Sequence, residues 1–252
     1  MGMSLRKNVE KRKKETQRKG VTIQDDVSRG GKNCHRFQSN PHSLQYDIRY
    51  FLTPSCYDGD LQSVLIPAGM IADRVKQLAH EIHNVIGDQD LMMLCILKGS
   101  YRFFSSLVDE LSMVRNGCAT GLQVEFVRVK SYENIASCGT LEIIGLSNLH
   151  ELKDKNVLVV DDIIDSGLTL SRLLVTLKDL GVRQTWTSLL LSKRVQRLVE
   201  TDEDFVAFNI PDKFIVGHGL DYNQMFRDLN HICEISPSGI EKYRKPTTRK
   251  IP

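Results

Sequence analysis

The sequence "VLVVDDIIDSGLTL" spans Val157 to Leu170. Four apolar residues end on two adjacent acids, Asp161 and Asp162, and a third acid, Asp165, opens a Ser-Gly turn before a second apolar run. The apolar run suits a buried strand. A carboxylate pair at its end is costly unless water, a cation or a polyhydroxylated ligand meets it. The turn leads into a helix, and such a junction offers free N–H groups and the positive end of the dipole to a phosphate. Ser166 and Thr169 add hydroxyl donors, and Gly167 lets the backbone approach an anion closely. The acids would hold the vicinal hydroxyls of a sugar, directly or with Mg²⁺. Phosphate and diol together point to a ribose phosphate. A plain helix cap would explain Asp165 or Ser166, but it leaves Asp161 and Asp162 without a purpose.

A strand–helix rhythm spreads from this stretch in both directions. "AGMIADRVKQLAHEIHNVIG" (68–87) places Ile71, Val75, Leu78, Ile82, Val85 and Ile86 on one helical face and ends on Gly87. "DLMMLCILKGS" (90–100) is almost continuously apolar, as a strand buried on both faces must be. "YRFFSSLVDELSMV" reads as a helix, "LQVEFVRVKSY" as a strand, and a polar stretch then runs to Leu149. "KNVLVV" is a strand and "TLSRLLVTLKDLG" a helix with Leu170, Leu173, Leu174, Leu177 and Leu180 as its buried stripe. "TWTSLLLS" and "KFIVGHG" are further strands. The alternation predicts an α/β fold, a mostly parallel twisted sheet flanked by helices, with ligands beyond the carboxyl ends of its strands.

The 252 residues are 41% apolar and 26% charged, as in ordinary globular proteins. No apolar run reaches the roughly 18 residues of a membrane span, so a membrane partner is not expected. Six cysteines without a CxxC pair, and no signal-peptide pattern, predict reduced thiols and a cytoplasmic protein. Residues 1–40 hold 11 Lys and Arg against 4 Asp and Glu, and the rest of the chain carries an acidic excess. That segment is expected to be a solvated extension without fixed structure, ahead of nucleic-acid binding. A catalytic unit is expected over 41–243 and a short basic tail over 244–252. "HEIH" (80–83) misses the metalloprotease spacing by one residue, and no Walker-type phosphate loop is present.

The stretch 157–170 resembles the phosphoribosyl diphosphate (PRPP) motif of the type I phosphoribosyltransferases. Other segments are similar to the hypoxanthine-guanine branch of that family. "LKGSYRFFSSL" (97–107) resembles its pyrophosphate loop, "KSYEN" the start of its mobile lid, "SKR" its purine lysine, and "PDKFIVGHGLDYNQMFRDLNHIC" (211–233) its base and metal segment. The likeness runs from about Asp58 to Tyr243 in unbroken order. It implies the type I fold with a small hood. The reaction it implies transfers the phosphoribosyl group from PRPP to N9 of hypoxanthine or guanine, giving IMP or GMP and pyrophosphate in purine salvage. It also implies a homodimer or homotetramer.

By resemblance, Asp161, Asp162, Asp165, Ser166, Gly167, Leu168 and Thr169 hold the ribose and 5′-phosphate, and Asp165 is the general base at purine N7. Lys98, Gly99 and Arg227 face the pyrophosphate, where charge accumulates as the bond breaks. A cis peptide at Leu97–Lys98 is implied too. Ser131 and Tyr132 begin a lid that keeps water from the activated sugar carbon. Lys193 donates to the 6-oxo group, Phe214 stacks on the ring, and Ile215 offers backbone groups to the base, with Asp221 close by. Lys only donates, so adenine is disfavoured. Mg²⁺ is implied at Asp221, with Asp161 and Asp162.

Five positions depart from the commoner pattern: Ser166 for Thr, Asp161 for Glu, Ser100 for a second Gly, Leu168 for Lys, and His218 for Tyr. The first three keep the donor, acceptor or small size needed, and His218 is expected to pack. The competing reading is a silent homologue that senses PRPP or purine nucleotides, against which the retained Asp165, Lys193 and Asp221 stand.

Overall fold

The computed structural model describes residues 21–27, 33–39, 45–116, 121–131, 141–145 and 149–245. Five parallel strands form the centre of its main sheet: β4 (Leu91–Ile96), β5 (Leu122–Ser131), β7 (Asn156–Ile164), β8 (Gln184–Lys193) and β9 (Phe205–Ile210). Their spatial order is β9-β8-β7-β4-β5, and β6 (Leu141–Ile144) adds an antiparallel edge beside β5.

Alternation along each strand explains the layers. In β4, Leu91, Met93 and Cys95 face a cluster shared with helices α1 (Ala68–Ile86) and α2 (Tyr101–Val114). Met92, Leu94 and Ile96 face the opposite cluster, which includes Leu170, Leu173 and Leu177 of α3 (Leu168–Asp179). β7 divides in the same way, with Leu158 and Val160 on one side and Val157 and Val159 on the other. A strand covered on both faces has no polar side to display, hence the near-continuous apolar runs.

The chain passes from β4 through α2 to β5, then returns to lay β7 on the other side of β4. This reversal opens a crevice at the carboxyl ends of β4 and β7, the usual ligand position in open α/β sheets. The loops that emerge there are 97–100 and 165–167. Above them sits the hood, a three-stranded antiparallel sheet of β10 (Ile215–Val216), β11 (Ile232–Ile235) and β3 (Leu61–Ile66). Its own core includes Tyr57, Val64, Val216, Phe226 and Leu229. The short α4 (Pro237–Lys242) follows it.

Several expectations change in detail. β7 does not stop at Val160 but carries Asp161 to Ile164 within the strand, because Asp161, Ile163 and Ile164 register with Leu189, Leu191 and Ser192 of β8. "KFIVGHG" yields only the two-residue β10, since His218 and its flanking glycines turn at positive φ. Val85, expected on the buried face of α1, is 39% exposed, while Ile86 is buried. β3, β9 and β11 were not anticipated, and neither was β6, which lies within the stretch expected to be polar up to Leu149.

Within the extension expected to lack structure, β1 (Val21–Val27) and β2 (Asn33–Ser39) pair antiparallel, and β2 joins the edge of β9 through Phe37–Phe208 and Gln38–Asn209. The alternating "VTIQ" and the Gly-Gly between the two strands suit a hairpin. Residues 1–20 and 246–252 lie outside the described residues. So does Tyr132 of the expected lid, whereas Ser131 closes β5.

Candidate active site

At the crevice the two ends of the switch interlock. Asp161 Oδ1 accepts from the Asp162 N–H at 3.0 Å and lies 3.1 Å from Ser100 Oγ, which also reaches Ile96 O at 2.6 Å. Two of the departures, Ser100 and Asp161, are therefore in contact: the shorter acid is met by the hydroxyl that replaces a glycine hydrogen. Asp162 Oδ1 accepts from the Ile163 N–H at 2.9 Å. A Cβ added to Gly99 would lie 1.5 Å from Asp162 Oδ2, so only glycine lets the 97–100 loop pass this close to the acid. The Leu97–Lys98 peptide is cis.

Burial first, and then the neighbouring Asp162, push Asp161 well above the ordinary carboxylate range; burial also raises Asp162. The pair still has an accessible face in the crevice. It is a site where a cation or hydroxyl donors would relieve repulsion.

Past the acids, residues 165–167 turn into α3, with Gly167 at φ 81°. The Leu168 N–H reaches Ser166 Oγ at 3.4 Å. A hollow of about 140 Å³ lies against Asp161, Asp165, Ser166, Gly167 and Thr169. Its position at the amino end of a twelve-residue helix suits a phosphate.

The base-recognition residues meet this loop from the side. Lys193, at the end of β8, places Nζ 3.1 Å from Asp165 Oδ2 and 3.1 Å from Asp212 Oδ1. Burial pulls its ammonium down, but hydrogen bonds to Asp212 and Asp165 outweigh this and its pKa rises. Lys193 is thus held charged between the turn and the hood. Phe214 is 50% exposed and meets Tyr222 edge-on at 5.3 Å, leaving ring surface free, while Ile215 is buried.

The third wall is the loop 217–229. Arg227 Nη2 pairs with Asp221 Oδ1 at 2.6 Å and its Nη1 donates to Gly219 O at 2.7 Å. Arg227 Nε is buried with no partner among the described residues. Asp221 Oδ2 accepts from the Gln224 N–H at 2.7 Å, and Lys98 Nζ approaches Gln224 Oε1 at 3.4 Å. Lys98, Asp221 and Arg227 therefore gather around one stretch of crevice. His218 Nδ1 lies 3.2 Å from Asn230 O, and burial lowers its pKa, so the ring packs in its neutral form.

Among the described residues no three His, Cys, Asp or Glu side chains form an ion-binding group by themselves. A hard-oxygen donor set of Asp221 on one wall and Asp161–Asp162 on another fits Mg²⁺, which takes few protein ligands and keeps water and phosphate oxygens.

Three residues of the site were missed from sequence: Asp212, Arg197 and Tyr57. Asp212 and Arg197 lay inside the resembling region with no role attached to them, and Tyr57 stands just before it. Tyr57 donates to Asp228 Oδ1 at 2.7 Å and accepts from the Phe226 N–H at 3.2 Å, bracketing Arg227 from both sides. Arg197 Nη1 donates to Ile164 O at 3.0 Å, beneath the Asp165 turn.

Residues 67–223 match the family described as "Phosphoribosyl transferase domain". The chain is 44% identical over 201 residues to the hypoxanthine-guanine phosphoribosyltransferase of Rattus norvegicus, covering 79% of this chain and 92% of the relative. It is 43% identical over the same length, with the same coverage, to the enzyme of that name from Homo sapiens. The structure resembles that of hypoxanthine-guanine phosphoribosyltransferase from Schistosoma mansoni in complex with IMP, with a TM-score of 0.68 and 34% identity over 82% of this chain and 97% of that one.

Proposed function

The chain belongs to the phosphoribosyl transferase domain family and, within it, to the hypoxanthine-guanine phosphoribosyltransferases, and from that premise we propose how its crevice acts. It transfers the 5-phosphoribosyl group of PRPP to N9 of a 6-oxopurine, hypoxanthine or guanine, giving IMP or GMP and releasing pyrophosphate. The observation that carries the assignment of roles is the Asp165–Lys193–Asp212 chain beside the phosphate turn, with both contacts of Nζ at 3.1 Å.

Ser166, Gly167, Leu168 and Thr169 bind the 5′-phosphate with backbone N–H and hydroxyl donors, and the start of α3 adds its dipole. Asp161 and Asp162 take the ribose hydroxyls. Lys193 donates to the purine 6-oxo oxygen, Phe214 covers one face of the ring, and Ile215 meets its edge. A 6-amino group would set donor against donor, which disfavours adenine.

Asp165, freed from Lys193 by the incoming base, accepts the N7 proton as N9 bonds to C1′ of the sugar. The bond from C1′ to pyrophosphate breaks in the same event, and its electrons leave with the pyrophosphate. Lys98, Arg227 and the Gly99 N–H are aimed at that developing charge. Asp221, Asp161 and Asp162 would hold Mg²⁺, which would supply further charge neutralisation on pyrophosphate. The lid that begins at Ser131 and Tyr132 excludes water. The enzyme acts in the cytoplasm as a homodimer or homotetramer; its described cysteines, Cys56, Cys95 and Cys233, are free thiols.

The test is product formation from PRPP and Mg²⁺ with hypoxanthine, guanine, xanthine and adenine in parallel. IMP and GMP from the first two and nothing from adenine are expected. PRPP binding without turnover of any base would return the sensor reading.

A further inference from the structure

Four consecutive carbonyls under the phosphate turn all point away from the crevice into one segment, 197–201. Ile164 O and Asp165 O both accept from Arg197 Nη1, the first at 3.0 Å. Ser166 O accepts from the Leu198 N–H at 3.2 Å and the Val199 N–H at 3.4 Å. Gly167 O lies 3.4 Å from Thr201 Oγ1 and closes the first turn of α3 with the Ser171 N–H at 2.9 Å. The N–H groups of Ser166, Gly167 and Thr169 take no protein acceptor among the described residues. A peptide unit whose oxygen is held on one side presents its N–H on the other, so drawing these carbonyls down turns the N–H groups of Ser166 and Gly167 up towards the phosphate.

Arg197 is itself fixed. Its Nη2 donates to Ser192 Oγ at 2.7 Å and pairs with Glu203 Oε1 at 2.9 Å, and the Ser192 hydroxyl passes its own hydrogen to Glu203 Oε2 at 2.7 Å. All four hydrogens on the two terminal nitrogens are used, two upward to the turn and two downward to Ser192 of β8 and to Glu203 just before β9. Ser192 immediately precedes Lys193, so a single planar group ties the strand end that carries the purine donor to the turn that carries Asp165.

We propose that Arg197 is the positioning residue of this centre. It sets the orientation of the phosphate-binding amides and fixes Asp165 relative to Lys193. Lysine cannot replace it, because one ammonium cannot span the two carbonyls and the Ser192–Glu203 pair together.

This inference deepens the proposed function and rests on it, so binding is measured beside turnover. Ribose 5-phosphate affinity is read for the wild type, Arg197→Lys and Arg197→Met, together with KM for PRPP, KM for hypoxanthine, and kcat. Arg115→Met serves as control, since it removes a guanidinium that holds two other carbonyls, Gly87 O and Gln89 O.

Both Arg197 variants are expected to lose about ten-fold or more in ribose 5-phosphate affinity and to raise KM for PRPP by a similar factor. KM for hypoxanthine should move less, and Arg115→Met should leave both phosphate readouts unchanged. Should Arg197→Met fail to fold, Arg197→Lys carries the test. Unchanged ribose 5-phosphate affinity in a folded Arg197 variant, or an equal loss in Arg115→Met, would overturn the proposal. If the wild type turns over no purine, the proposed function fails, while ribose 5-phosphate affinity still decides the role of Arg197.

Discussion

Two loops close on one crevice and take their bends by different means. The turn 165–167 is short, needs one positive φ, and fills that position with Gly167. Loop 217–229 places His218, Asn223, Gln224 and Phe226 at positive φ, each at a cost of about 1–3 kcal/mol for a side-chain-bearing residue. What offsets this cost comes from far away in sequence. Tyr57, 171 positions before Asp228, holds that residue and the Phe226 N–H. Arg102 of α2 donates to Leu229 O at 3.0 Å and Asn230 Oδ1 at 3.1 Å. Phe226 is fully buried in the hood core. The phosphate turn thus takes its bend from its own glycine and is held by the single segment 197–201, whereas the other loop is held by packing from several distant elements, and substitutions should separate them.

The largest effect is expected in the phosphate turn. Asp165→Asn should lower kcat by about 10²–10⁴-fold, the range for a lost acid–base group, with the melting temperature nearly unchanged because Asp165 is mostly exposed. Steady-state kinetics with a thermal melt checks both parts. Lys193→Gln comes next. It removes a charged hydrogen bond worth about 1.5–3 kcal/mol, so kcat/KM for hypoxanthine should fall about 10- to 150-fold. An Asp165→Asn enzyme with full turnover would break the assignment of roles in this turn.

On the packing-specified side, Tyr57→Phe keeps the ring and removes only the hydroxyl. The Phe226 N–H and Asp228 lose their shared partner, and pyrophosphate affinity in the reverse reaction should weaken about five- to ten-fold, for roughly 1–1.5 kcal/mol. Unaltered pyrophosphate affinity would mean that the loop holds its shape without the hood.

The smallest effect is one of stability. Asp161 has a raised pKa in the fold, so its ionisation costs the folded state. That cost is absent below the ordinary value of 3.8 and grows as pH rises through the higher folded value. Asp161→Asn should therefore stabilise the ligand-free protein near neutral pH, by about 1 kcal/mol or less, and the gain should vanish in acid. Melting temperatures of both proteins across pH test the sign.

The same contrast governs what could be read in advance. Strands such as "LMMLCIL" and "VLVV" were legible because burial on both faces leaves an unbroken apolar run. The phosphate turn was legible because its glycine, hydroxyls and acids lie within nine residues. β11 has only four residues, and β3 and β11 belong to a sheet assembled from distant parts of the chain, so no local period announced them. Asp212 has no partner within its own segment; it finds Lys193 19 positions away. Tyr57 and Arg197 act partly on backbone groups far along the chain, which leaves no local pattern to recognise. The Ser100–Asp161 contact explains two departures that looked independent in sequence.

The most direct test of the whole account is a crystal structure of the protein with IMP, Mg²⁺ and pyrophosphate. The 5′-phosphate should lie on the N–H groups of Ser166 to Thr169 and the 6-oxo oxygen within hydrogen-bond distance of Lys193 Nζ. Pyrophosphate should lie between Lys98 and Arg227. A nucleotide bound with its base away from Lys193, or its phosphate away from this turn, would contradict the account.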